Sequence, residues 1–219
     1  MRLRSAMLAF AGFLALAACS NDDDREETPF QQATEIVRDR LTPGEPGPTL
    51  RDGLTRAQIQ QLPGEVIFVE IPDRDAQALM GLLIETPNGA TYVTPEGITL
   101  TFEQGFLKAS RGLGGDIVAG DSRAIRAALG TEGTAIRFYD YLTGEDRIDR
   151  RRLTCLLSAP EPERITVFEV VYGTARIDET CSDGELVFDN VYWIDEGGVV
   201  RKSRQFVSLS VGHVIVEQL

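Results

Sequence analysis

The chain has one histidine, one tryptophan and three cysteines in 219 residues. Each scarcity removes a class of function. Zinc centres need clustered His and Cys, and the sequence has no such cluster. A triad built on His213 would need a nucleophile and an acid in recognisable motifs, and none is present. His213 alternates with Val211 and Ile215 and reads as a sheet residue. No dinucleotide fingerprint occurs, and no phosphate loop closed by Lys-Ser or Lys-Thr. Asp22-Asp23-Asp24 lacks the ligand spacing of an EF-hand and reads as a solvated spacer. The sequence therefore assigns no metal, no cofactor and no catalytic residue. Positive charge is also short. The formal charge is −12, which disfavours nucleic acid as a partner.

Apolar runs are scarce too. The one long run, residues 6–18, follows Arg2 and Arg4 and ends in small residues, the layout of a secretory signal. It is too short to span a bilayer, which takes about 20 apolar residues. It closes as Leu16-Ala17-Ala18-Cys19, which resembles the lipobox of bacterial lipoproteins. That resemblance implies a diacylglyceryl group on the Cys19 thiol, cleavage before Cys19 and acylation of the freed amine. Two lipid chains anchor a protein stably without a transmembrane helix. Ser20, where enterobacterial lipoproteins kept at the inner membrane carry Asp, points to the outer membrane. The expected organisation is a signal peptide at 1–18, a lipidated N-terminus and acidic tether at 19–29, and one periplasmic β-rich domain at 30–219. Removing the signal takes away two arginines and no acids, leaving the mature chain near −14.

With Cys19 spent on lipid, Cys155 and Cys181 remain as an even pair in an oxidising compartment, and a disulfide between them is expected. Thr28 can cap a helix with Pro29 in its first turn, residues 42–48 form a Pro/Gly loop, and a short helix covers residues 56–62. Strand patterns follow. Residues 66–71 are nearly all apolar, and Ile98, Leu100 and Phe102 alternate with polar neighbours. Ile136, Phe138 and Leu142 share one face of another run, and 165–172, 186–194, 199–209 and 211–216 continue the pattern. Asn88-Gly89, Asp183-Gly184 and Gly197-Gly198 read as hairpin turns. One helix interrupts, with Asp121 as cap, Ile125 and Leu129 inward and Gly130 as terminator. Many strands with short turns favour a mainly β, antiparallel, barrel-like or curled sheet with a few short helices.

Two stretches stand out. Arg111-Gly112-Leu113-Gly114-Gly115-Asp116 reads as an anion-cradling loop or, more plainly, as a tight crossing fixed by a hydrogen bond from Arg111 or to Asp116. Tyr192-Trp193 to Gln205 carries two aromatics and then Ser203, Arg204 and Gln205 in a strand. Such groups can stack on and hydrogen-bond a sugar; the plainer reading is a core Trp beside a solvated edge. Arg111, Asp116, Tyr192, Trp193, Ser203, Arg204 and Gln205 are the candidate binding surface.

Four blocks appear in order: the lipobox at Cys19; Ser110 through Asp116; Cys155 and Cys181 with Glu179 before the second cysteine; and Tyr192-Trp193-x-Asp195, then Gly197-Gly198 and Ser203-Arg204-Gln205. Together they resemble the YjbF/GfcB-like family of exopolysaccharide (capsule) lipoproteins, over roughly residues 50–216. The resemblance implies an antiparallel β-barrel-like domain encoded among genes for making or exporting an extracellular polysaccharide. It carries no catalytic residues across. The function expected is a non-enzymatic accessory factor for exopolysaccharide or capsule production or export. It would be anchored in the outer membrane through lipid on Cys19 and face the periplasm, with a polysaccharide or an outer-membrane export protein as partner. The alternatives are an assembly lipoprotein that binds an outer-membrane protein without touching sugar and, less favoured, a polysaccharide-modifying enzyme using two of the many carboxylates.

Overall fold

The computed structural model describes residues 49–142 and 147–219. The signal, Cys19, the tether, the helix at Thr28 and the loop at 42–48 lie outside the described residues. Two single-turn helices open the described chain, α1 (Leu50–Gly53) and α2 (Arg56–Ile59). Each starts on a capping box, Thr49 with Asp52 and Thr55 with Gln58, in which cap and third residue satisfy each other's free backbone N–H. The second is shorter than its sequence pattern suggested.

Thirteen strands follow: β1 (Val66–Ile71), β2 (Ala76–Thr86), β3 (Gly89–Val93), β4 (Thr99–Glu103), β5 (Phe106–Arg111), β6 (Ile117–Asp121), β7 (Gly133–Leu142), β8 (Ile148–Leu157), β9 (Glu161–Val167), β10 (Val170–Ser182), β11 (Val187–Asp195), β12 (Val200–Ser208) and β13 (Gly212–Gln218). Helix α3 (Arg123–Ala128) joins β6 to β7. All pairings are antiparallel, in the order β5-β4-β3-β2-β1-β13-β12-β11-β10-β8-β7-β6, with β9 added on β10. The result is a nearly closed, barrel-like sheet. Among the described residues, no helix is long and apolar enough to cross a membrane.

The period of two splits each strand between two cores. The inner core fills the barrel with Ile67, Leu100, Leu107, Tyr139, Leu153, Tyr192 and Val214 among others. A second core lies on the outer face, where Phe68 and Leu79 meet Leu54, Ile59, Ile165 and Phe168. The β9–β10 hairpin and the first two helices thus cover an outer wall that would otherwise expose Phe68. Helix α3 plugs one end with Ile125, which is fully buried. Leu113 of the Gly-rich loop closes the other with Val211.

The turns at 88–89, 183–184 and 197–198 fall where expected. One strand reading needs correction. Residues 165–172 are not one strand but a hairpin that turns at Phe168 and Glu169, both at positive φ (41° and 71°) with no glycine to announce it. In β7, Ile136, Phe138 and Leu142 share one face, and it is the outer one. Ala135, Arg137 and Tyr139 point into the core, so an arginine occupies the interior. Helix α3 also starts one residue later than read. Ser122 is its N-cap residue without a side-chain bond, while Asp121 at the end of β6 accepts from Arg123 N at 3.0 Å.

Candidate functional site

The seven residues of the candidate surface do not form one surface. Tyr192, Ser203 and Gln205 point inward and are buried, whereas Trp193 and Arg204 sit on the outer wall and Arg111 and Asp116 lie at the sheet's open edge. Alternation along β11 and β12 forces the split, since neighbours on a strand face opposite ways.

Arg111 and Asp116 close the gap between β5 and β6, where the hydrogen-bonded ladder ends instead of completing a ring. Asp116 accepts from the Ser110 hydroxyl (2.7 Å) and from the backbone N–H groups of Gly112, Leu113 and Gly114 (3.0, 3.2 and 3.3 Å). Arg111 donates across the gap to Ile117 O at 2.9 Å and Val118 O at 3.4 Å. Gly115 lets the loop pack close to β12, because a Cβ there would stand 2.1 Å from the Ser210 hydroxyl and displace it. The tight-crossing reading of this block describes the structure.

Beneath the Cys155–Cys181 disulfide, which links directly opposed residues of β8 and β10, lies a fully buried polar cluster. Arg137 donates to both Glu179 oxygens (3.0 and 2.8 Å) and to the Tyr139 and Tyr192 hydroxyls (3.0 and 2.9 Å). Tyr192 and Asn190 also donate to Glu179, each at 2.8 Å, and Asn190 accepts from Phe206 N. Burial pushes both phenols up, against the pull of the Arg137 charge, so both stay protonated. Cys155, Glu179 and Cys181 are close enough to hold a metal ion, but the two sulfurs are bonded to each other. The even cysteine pair in an oxidising compartment announced the disulfide, and Glu179 stood in the block that carried the resemblance; no pattern marked Arg137 and Asn190 as its partners.

On the outer wall, register aligns Trp193, Lys202, Glu217, Phe68 and Leu79 in a row across five strands. Buried Glu217 pairs with Arg51 (2.7 Å) and Lys202 (2.9 Å), and Arg176 and Lys202 approach the Trp193 ring. Arg204 donates to His213 Nδ1 at 2.9 Å, so His213 Nε2 carries the proton it gives to Asp189 O at 2.8 Å. Burial lowers the His213 imidazole and Arg204 lowers it further. The histidine is a neutral cross-brace in the sheet.

At the α3 end lies a cleft of about 640 Å³ whose rim carboxylates are only partly used by the fold. The β4–β5 turn crosses the barrel mouth and bears on β12 so closely that a Cβ on Gly105 would stand 2.5 Å from Val200. Inside, Gln205 accepts from Leu107 N and donates to Gly105 O, both at 2.8 Å. On one side of this bar α3 fills the mouth, tied to the turn by Arg126 through Glu103 and Gln104. On the other side the mouth stays open, with Ile67, Tyr92, Phe102 and Val216 as floor and Glu65, Glu85 and Gln218 at the rim. The Tyr92 hydroxyl donates to Glu65. Burial raises that phenol, and the Glu65 bond and the charges of Glu65 and Glu85 raise it further. Burial would raise the Glu103 carboxyl, yet Lys108 and Arg126 hold it below the usual range.

A family model matches residues 47–219, that of YjbF, the group 4 capsule polysaccharide lipoprotein GfcB. The chain belongs to the YjbF family. Among solved structures, the hypothetical lipoprotein YmcC of Escherichia coli K12 is similar, with a TM-score of 0.67 and 16% identity over 87% of this chain and 94% of that one. At that identity the likeness speaks for the fold. No curated protein matches the chain. In this YjbF-family chain the blocks that carried the resemblance and fall within the described residues largely fix the fold. Ser110–Asp116 seals the sheet, Glu179 and Cys181 organise the buried cluster, and Asp195 clamps the β11–β12 turn through Val199 N (2.9 Å) and Arg201 (2.6 Å).

Proposed function

We propose that the protein is a lipid-anchored accessory factor in the production or export of a capsular or other extracellular polysaccharide. It is held through Cys19 at the periplasmic face of the outer membrane. The observation that carries this reading is the family match over residues 47–219. The Leu16-Ala17-Ala18-Cys19 sequence supports the anchor, and Ser20 supports the outer-membrane address. An accessory role is supported by how the polar groups of the interior are used. Glu179, Tyr139 and Tyr192 are held by one another and by Arg137, and the single histidine on the outer wall is held by Arg204 and Asp189, so none of these is poised to move a proton to a bound substrate.

The test is the amount of secreted and cell-associated polysaccharide in a strain lacking this protein. Secreted polymer is expected to fall, to be restored by the wild-type gene, and to stay low with Cys19→Ala, whose product no longer fractionates with the outer membrane. Unchanged polymer in both pools of the deletion strain would sink the reading.

A further inference from the structure

We propose that the cleft at the α3 end binds a short, uncharged, hydroxyl-rich saccharide segment. The inference rests on the polysaccharide reading above and names the place and chemistry of contact. A cleft of about 640 Å³ falls within the range of roughly 300–1,000 Å³ common for small-ligand sites. One wall is braced, because the bar formed by the β4–β5 turn is tied by Gln205 and packs against Val200.

Its polar lining is incompletely used. Ser203 is 2% exposed and opens on the cleft. Its Oγ accepts from Gln205 at 2.9 Å, and its own hydroxyl proton has no acceptor among the described residues. A buried donor with no acceptor is costly unless a ligand or water supplies one. Glu65 accepts from Tyr92 and, at 3.4 Å, from Gln218, which leaves acceptor capacity on its carboxylate. Among the described residues no cation pairs with Glu65 or Glu85, whereas Glu103 is neutralised by Lys108 and Arg126. Two uncompensated carboxylates at one rim repel uronic acids, sulfates and phosphates. They accept charge-assisted hydrogen bonds from sugar hydroxyls, and the Tyr92 and Phe102 rings supply an apolar floor for the carbon face of a sugar. Two other cavities among the described residues differ from it. The one near Leu209, for instance, holds Arg151 already paired with Asp149, Asp183 and Glu185.

The experiment uses full-length protein in detergent micelles and oligosaccharides released by partial acid hydrolysis of the cell's own secreted polymer. Anion exchange sorts these into neutral and acidic pools, and binding is read by calorimetry. The neutral pool should bind. Glu65→Gln and Glu85→Gln together, and Ser203→Ala separately, should each weaken it about tenfold. Arg176→Ala, on the outer wall and away from the cleft, should leave it unchanged, and thermal unfolding of each variant checks that the fold persists. Failure of the neutral pool to bind, tighter binding of the acidic pool, or neutral binding indifferent to the cleft variants would each overturn the proposal. Reduced polymer in the deletion strain without oligosaccharide binding discards the cleft alone. Unchanged polymer discards the functional reading and the cleft proposal with it.

Discussion

Glu179 and Glu65 stand on two sides of a division that runs through the whole molecule. In the barrel interior, Glu179 gives both oxygens to Arg137 and takes further bonds from Tyr192 and Asn190. At the open end, Glu65 receives a phenol and a distant amide, and Glu85 beside it has no cationic partner among the described residues. A charge sealed in a core must be fully answered, whereas one at a solvated rim need not be. The spare acceptor capacity of Glu65 and Glu85 lies at the α3 end.

The comparison breaks most visibly at Glu179. Replacing it with Leu leaves Arg137 buried and uncompensated, which is expected to cost about 3–5 kcal/mol in urea unfolding. Adding Arg137→Met should recover most of that loss, because the pair contributes little beyond mutual neutralisation. If Glu179→Leu costs no more than a rim substitution, the division is wrong.

Asp116→Ala comes next. It removes the acceptor of three backbone N–H groups and one hydroxyl, and about 1.5–3 kcal/mol should be lost. A smaller effect belongs to His213. Its folded imidazole titrates below the unfolded value of about 6.5, so the unfolded chain binds the proton first as pH falls. Its contribution is complete above the unfolded value and is lost as pH drops through the folded one. His213→Gln should flatten the stability profile from pH 7 downward through that window. Smallest of all, Glu65→Gln should leave unfolding within about 0.5 kcal/mol of wild type, which sharpens the contrast with Glu179.

Much of the fold was legible because β1 and the three glycine-marked turns obey local rules. The elements that escaped did so for physical reasons. In β8 the sequence places arginines 150 and 152 on the outer face, so the strand reads as a polar stretch. In β2 the apolar residues run together without alternation, because inner and outer cores both claim them. At Phe168-Glu169 the hairpin is held by tertiary packing of Phe168 on Phe68, a contact no turn motif encodes. The candidate surface is dispersed by the fold. Its residue types were unusual, but the period of two sends Tyr192, Ser203 and Gln205 inward and Trp193 and Arg204 outward. Ser203 alone of the seven reaches the cleft. The other lining residues come from separate strands and turns, with no motif to join them.

The gap between β5 and β6 has a mechanical consequence. A ring of strands closed entirely by main-chain ladders has no preferred place to part under load. This sheet has one, at a latch made of the Arg111 guanidinium and the Asp116 carboxylate. Strain applied across the wall would open it there, as a clasp gives before the cloth, while the thirteen strands keep their order.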